Sequence, residues 1–518
     1  MQTTVTVSFD RSSPTTVTAA ASTGQPAPGR GIGGLPSDAV LSTFGPPAIS
    51  DFRDLAARVV MLNGRKMLAG IYVEDGAGTP SLAAFQGGAV PGITTTGVTF
   101  KSFLDPVIAP GGAIAFAGMV QGGGVETAAN QGVWTDVFTG ELELALREGS
   151  EVPGIAGAKL KSVTSLSLRD GELLALLTLL PAKDLVTAAN DTVLLRITGP
   201  TTATVLLREG KELAGLAGSK IKTISVLSPA LGSPGHGRWH ADGAVVAKVV
   251  LFDGSTRVVG IAPDAAVTPL PSTADAATQV SPEARWKSFG LPAMGSAGEH
   301  FVVAAALKPL PGSVTVKNDA ALLSKTGVAA WSFLAREGGA APVTPPGPLY
   351  ATFFDPVLND SGKVAFLATL QGTGIKAGNK TGLFGGAPAS LRLLARLGDK
   401  APDEAGTATA AAWSKFISHA LPSGPGAGAV FLAETSGGGT TAKNKLALWA
   451  VDSGGALRRL LRTSDSLATG APAITKLTLL TAVPGAFGST RSFNATGSVA
   501  LLATFADKTQ ALLRVDVP

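Results

Sequence analysis

The sequence predicts an all-β fold, an eight-bladed β-propeller of four-stranded antiparallel blades closed by an N-terminal strand. Two periodicities carry that prediction. The first is a strand-and-turn phrase that returns eight times along the 518 residues, most clearly as LALREGSEVPG (144–154), LLREGKELAG (206–215), FLAREGGAAPV (333–343) and LLARLGDKAPD (393–403). Aligned on the first turn residue, the copies begin at Ser22, Phe85, Arg147, Arg208, Ser272, Arg336, Arg396 and Arg462, at intervals of 60 to 66 residues. A fixed period of this length marks one supersecondary unit stacked on itself. Residues 1–518 are therefore expected to form a single repetitive domain, where length alone would suggest three or four. The second periodicity is the pattern apolar–x–(Ser/Thr/Lys)–apolar, once per repeat: LSTF (41–44), FKSF (100–103), LKSV (160–163), IKTI (221–224), WKSF (286–289), YATF (350–353), WSKF (413–416) and ITKL (474–477).

Each repeat reads as four short strands. In the sixth, YATFF (350–354) leads into DPVLNDSG, a turn rich in Pro, Asn, Asp and Gly. KVAFLATL (363–370), TGLFG (381–385) and LRLLAR (391–396) follow, separated by polar loops. Second strands such as IAFAGMV (114–120), LLALLTLL (173–180), VVAKVVLF (245–252) and VALLATF (499–505) are apolar on both faces. Strict alternation would mean one wet face, so continuous runs mean that neighbours cover both. Short, doubly covered strands in repeated four-stranded units fit propeller blades. The 65 glycines and 34 prolines spread along the chain argue against helical repeats. At the ends, TVTVSF (4–9) and TVTAAA (16–21) read as strands, and ALLRVDV (511–517) reads as a third strand with no fourth after it. An N-terminal strand is expected to fill that place and remove an open edge. Residues 105–134 also align without gaps to 355–384, and 239–261 to 493–515, which suggests that a four-repeat half was duplicated.

Composition narrows the function classes. Hydrophobic residues make up 45% and charged residues 15%, far from a disordered chain. The net charge of +5 is small for this length and no Lys/Arg run occurs, which speaks against a nucleic-acid partner. There is no cysteine, which excludes disulfides, thiolate metal sites and cysteine nucleophiles. The longest apolar run, 173–180, falls short of the roughly 20 residues that a membrane-spanning helix needs. Met1 leads directly into strand-like sequence without a basic, apolar leader, so the expectation is either no export or a trimmed signal.

Few residues suggest chemistry. His236 and His240 have i, i+4 spacing but sit in a Gly-rich stretch, GHGRWHADG, rather than on a helix. His300 and His419 fall in other repeats at other strand positions. Asp105 and Asp355 occupy equivalent places in repeats two and six, each before a proline. On opposite sides of a ring they could not share a glycosidic bond as a catalytic carboxylate pair, and Asp–Pro turns account for them. Trp286 and Trp413 fall at core positions of first strands. Lys101, Lys161, Lys222 and Lys287 hold one position in four consecutive repeats, where the other repeats have Ser42, Ala351, Ser414 and Thr475. If first strands line the axis, these lysines form a positive arc able to hold an anionic ligand or glycan. Inherited solvated lysines are the plainer reading. No catalytic residue, metal site or cofactor is expected from these patterns, although calcium held by loop carbonyls and aspartates leaves little trace in a sequence.

NDSGKVAF (359–366) fits the signature N-x-x-G-x-x-A-F, NATGSVAL (494–501) lacks only the final aromatic, and APGGAIAF (109–116) lacks the Asn. With the recurrent turn phrase, the chain resembles the bacterial surface proteins built from tandem NxxGxxAF repeats, whose C-terminal anchors vary. That resemblance implies a secreted or cell-surface protein that binds or scaffolds, with a protein or carbohydrate partner. The rival expectation is an enzyme acting on extracellular polysaccharide at one mouth of the propeller. Oligomeric state is not legible.

Overall fold

The computed structural model describes residues 6–7, 15–226, 239, 242–295, 300–327, 329–343, 347–423, 428–479 and 492–518. Its strands form eight consecutive antiparallel sheets, the blades of an eight-bladed β-propeller. Blades 1 to 7 span 40–85, 99–147, 160–208, 221–272, 286–336, 349–396 and 400–462. Blade 8 takes its first three strands from Ile474–Thr478, Ser498–Phe505 and Gln510–Asp516 and its fourth from Val17–Ser22 near the N-terminus. The pairing runs from Val17 opposite Val515 to Ser22 opposite Ala511, as the missing fourth strand predicts. Thr6–Val7 adds a fifth strand outside it; the rest of 1–14 lies outside the described residues.

The chain divides into two compact units of four blades each. Unit 1 comprises 1–206 and 460–518, hence blades 8, 1, 2 and 3; unit 2 comprises 207–459, hence blades 4 to 7.

Within both units the turn phrase and the first-strand pattern turn out to be bonded to each other. In unit 2 the N–H of Gly210 donates to Ile221 O (2.7 Å) and Ile221 N–H donates back to Lys211 O (2.9 Å). Gly338 with Tyr350 and Gly398 with Trp413 repeat the reciprocal pair, as do Gly24 with Leu41, Gly87 with Phe100, Gly149 with Leu160 and Ser464 with Ile474 in unit 1. The donor sits at positive φ, between 74° and 88° in these seven turns, which is why six of the seven are glycine.

The second residue of every first-strand pattern is the extra residue of a β-bulge. Pairing with the second strand skips Ser42, Lys101, Lys161, Lys222, Lys287, Ala351, Ser414 and Thr475. A bulge sets two residues against one on the partner strand, so the bulged residue and its successor lie together between the two apolar residues that enter the core.

One expectation needs correcting. The stretch after the first strand is more than a turn: in blades 1, 2, 5 and 6 the strand resumes as Ala48–Ile49, Val107–Ile108, Ala293–Gly295 and Val357–Leu358 and pairs again with the second strand. Pro47, Pro106, Pro292 and Pro356 interrupt the ladder there because proline has no N–H to donate. Where no proline intervenes, as in Leu160–Arg169 and Ala408–Ala420, the first strand is unbroken.

The second strands are buried almost throughout, matching their unbroken apolar runs. Three blades share one aromatic box. Phe116 stacks on Trp134, Phe366 on Phe384 and Phe431 on Trp449, with interplanar angles of 20°, 18° and 14°. Trp286 and Trp413 are buried core residues, as their positions predict. Among the described residues no helix is long and apolar enough to cross a membrane.

Removing residues 1–22 deletes the fourth strand of blade 8, including the fully packed Val17 and Ala21. The melting temperature is expected to fall by at least about 5 °C. A differential scanning calorimetry trace unchanged by the truncation would show that closure by this strand does not stabilise the fold.

Candidate functional site

The carboxylates that resemble catalytic groups are spent on joining blades. Asp355 of blade 6 accepts the N–H of Leu291 in blade 5 through Oδ1 (2.9 Å). Asp105 of blade 2 is buried and accepts a hydrogen bond from Arg58 Nε of blade 1 (3.1 Å). Each carboxylate lies against a glycine of the preceding blade. A Cβ on Gly45 would come within 2.3 Å of Asp105 Oδ1, and one on Gly290 within 2.0 Å of Asp355 Oδ1. Burial pushes the Asp105 carboxyl above the usual aspartate range, and the Arg58 guanidinium offsets this only in part.

The Asn of the N-x-x-G signature also reaches across to the next blade. Asn359 Nδ2 donates to Pro422 O of blade 7 (2.9 Å) while its Oδ1 accepts the N–H of Lys363 (2.9 Å). Asn494 Nδ2 donates likewise to Ser50 O of blade 1 (2.9 Å) and its Oδ1 accepts the N–H of Ser498 (2.7 Å). From Ser50 the chain of turns continues through unit 1: Asp51 N–H donates to Pro110 O (2.8 Å) and Gly111 N–H to Asp170 Oδ1 (2.7 Å).

A third junction is ionic. Arg514 Nη2 of blade 8 lies 2.6 Å from Glu74 Oε1 of blade 1, both almost fully buried. The hydroxyl of buried Tyr72 lies 3.0 Å from Glu74 Oε2 and 3.1 Å from Ala20 O. Burial raises the Glu74 carboxyl while Arg514 and Tyr72 pull it back. In unit 2, a cavity of about 260 Å³ between blades 6 and 7 is lined by Lys363, Arg392 and Asp452 among several glycines. Arg392 there already donates to Gly455 O (3.1 Å).

The four lysines singled out by sequence are bulge residues, and all are exposed. Lys101 and Lys161 stand on consecutive blades of unit 1, and Lys222 and Lys287 on consecutive blades of unit 2. The bulge also reveals two lysines that alignment at a single position passes over. In blades 7 and 8 the exposed pair reads Ser414–Lys415 and Thr475–Lys476, with the lysine second. Six of the eight first strands thus present a lysine at the bulge, and among the described residues none of the six is in an ion pair.

His236 and His240 lie outside the described residues. His300 is half-buried and His419 buried. Among the described residues, no group of three His, Asp or Glu side chains converges as a metal site.

The chain belongs to a family of unknown function, DUF7453, whose model matches it twice, over residues 10–274 and 261–514. No curated protein matches. Among solved structures it is similar to the β-propeller domain of the trilobed protease from Pyrococcus furiosus, at 15% identity and a TM-score of 0.38, covering 82% of this chain and 99% of that one. An acylaminoacyl peptidase from Pyrococcus horikoshii matches at 13% identity and a TM-score of 0.36, covering 88% of this chain but 57% of that one. The WD40 domain of SCAP from fission yeast matches at 10% identity and a TM-score of 0.35, covering 92% and 93%. Likeness at this level says nothing about chemistry.

The raised Asp105 carboxyl gives a signed pH dependence. A group whose pKa is higher folded than unfolded binds its proton more readily in the native state, so its contribution to stability is present at low pH and lost as pH rises through the folded value. Against Asp105→Asn, the wild-type melting temperature should therefore rise as pH falls from about 7 to about 4. If the wild-type minus variant difference stays constant, Arg58 balances burial, and if it falls as pH falls, Arg58 outweighs burial.

Proposed function

We propose that this protein is a non-catalytic binding propeller, displayed outside the cell, that uses exposed lysines on a rigid frame to hold an acidic partner, a glycan or a protein. One observation carries the reading. The chemically suggestive carboxylates Asp105 and Asp355 are engaged in junctions between blades, whereas the bulge lysines Lys101, Lys161, Lys222, Lys287, Lys415 and Lys476 stand exposed and, among the described residues, in no ion pair. A bulge on a fixed strand sets the backbone point from which each lysine projects, so the charges stand at defined places on the frame. Display outside the cell rests on the resemblance to tandem-repeat surface proteins, and cleavage of the chain by protease added to whole cells would support it.

The partner class is tested with a panel of neutral and acidic polysaccharides in retention experiments, with reducing ends measured on the same samples. The expected result is retention of acidic chains, weakening with salt, and recovery of the glycan uncut. Release of reducing ends would replace this reading with that of a polysaccharide-cleaving enzyme. If no member of the panel is retained, the glycan partner is eliminated and an acidic protein is left.

A further inference from the structure

We propose that a uronic-acid polysaccharide docks on one edge of blades 4 and 5 in unit 2, with Phe252 as the platform for a sugar ring and Lys220, Lys222, Lys287 and Lys308 as the carboxylate partners. This deepens the binding reading above and rests on it.

The fold brings these five residues to one edge of the two blades. Each first strand is tied at its start to the end of the second strand beside it. In blade 4, Phe252 N–H donates to Lys220 O (3.0 Å), and Ile221 pairs with Leu251, so Phe252 lies next to Lys220 and the bulged Lys222. In blade 5 the same link joins Lys308 N–H to Arg285 O (2.8 Å), and Trp286 pairs with Leu307, which sets Lys308 beside the bulged Lys287. All four lysines are exposed, and among the described residues none is in an ion pair.

Phe252 is 52% exposed. A phenyl ring left open to water on a strand end beside Lys220 is an exposed apolar surface suited to a partner that covers it. The C–H face of a pyranose ring covers an aromatic face well, and its carboxylate then falls within reach of the flanking lysines. The nearby acids do not cancel these charges evenly. Asp253 is occupied by Ser255 through its N–H (2.8 Å) and Oγ (2.7 Å), and Asp275 pairs with Arg257 (3.3 Å). Glu212 and Glu283 stand exposed near the same edge and offset part of the lysines' charge.

Nucleic acid is the competing anion at this edge, because phosphate is bound by arginine forks and by lysine ammonium groups alike. Arg257 is engaged by Leu270 O and Asp275, whereas exposed Arg285 donates to Pro282 O and Ala284 O through Nη1 alone, so single-stranded DNA is carried as a competitor in the test.

The test is isothermal titration of the full chain with polygalacturonate, comparing wild type with Phe252→Ala, Lys220→Ser/Lys222→Ser and Lys287→Ser/Lys308→Ser. Lys325→Ser, at the far end of its strand in blade 5, serves as the control. All the substituted side chains lie at the surface or half-buried, and melting curves report whether the variants stay folded. Each of the three site variants should weaken binding by about tenfold or more, and the control should change it by less than about twofold. Wild-type binding that persists in all three would overturn this site while leaving the binding reading intact. Absence of wild-type binding would remove the site, and the neutral and other acidic glycans of the panel then decide the broader reading. Tighter binding of single-stranded DNA than of polygalacturonate at equal salt would overturn the assignment to a polysaccharide.

Discussion

In seven of the eight repeats a reciprocal pair of backbone hydrogen bonds between the turn and the following first strand sets the spacing of the blade. It requires a donor N–H at positive φ, followed by a residue whose carbonyl accepts in return. Ser464 shows that the requirement is conformational rather than chemical, because it adopts φ 77° where the other six turns place glycine. A side chain in that region is strained, yet the bond to Ile474 O at 2.7 Å is kept. With the turn fixed, the apolar residue that starts each first strand is fixed too, and the bulge follows one residue later in all eight blades. The two periodicities in the sequence are thus two ends of one interaction.

The junctions between blades follow a different logic. They use buried or half-buried polar groups that take a partner across the blade boundary: Asp355 on Leu291 N–H, Asn359 on Pro422 O, Arg514 on Glu74. Removing one partner from such a pair leaves the other desolvated and unpaired, which costs more than the bond itself contributes. Adjacent blades are thereby held in one relative position. The N-x-x-G signature does local and long-range work together, since one oxygen of Asn359 closes the turn while its amide nitrogen holds the neighbour.

Strand order, blade count and the source of the closing strand were legible in the sequence because they depend on contacts local to a repeat or on the repeat's incompleteness at the chain ends. The roles of Asp105 and Asp355 were not. Their partners lie one repeat away, and an Asp–Pro pair carries no mark of what it reaches. Lys415 and Lys476 escaped for a subtler reason. A bulge makes two neighbouring positions equivalent in space, so column-by-column alignment separates lysines that the fold treats alike. The places equivalent to Phe252 in other blades hold Leu180, Lys308 and Ala506, none of them aromatic, and Phe252 reads in sequence as the end of a buried strand; the pairing of Leu251 with Ile221 shows where that strand stops.

The sequence halves and the compact units do not coincide, and the closing strand explains why. The family model covers 10–274 and 261–514, that is, the fourth strand of blade 8 with blades 1 to 4, and then the remainder. The compact units instead group blade 8 with blades 1 to 3 and leave blades 4 to 7 together. Because Val17–Ser22 belongs to blade 8, the first residues of the chain are built into its last sheet, and the Glu74–Arg514 pair then ties that sheet to blade 1. Closure therefore draws blade 8 out of the second sequence half and into the first unit. A duplicated four-blade sequence could in principle have formed two separate four-bladed bodies, each with its own seam. Sharing one strand between the chain's two ends completes blade 8, whose third strand would otherwise present an unpaired edge.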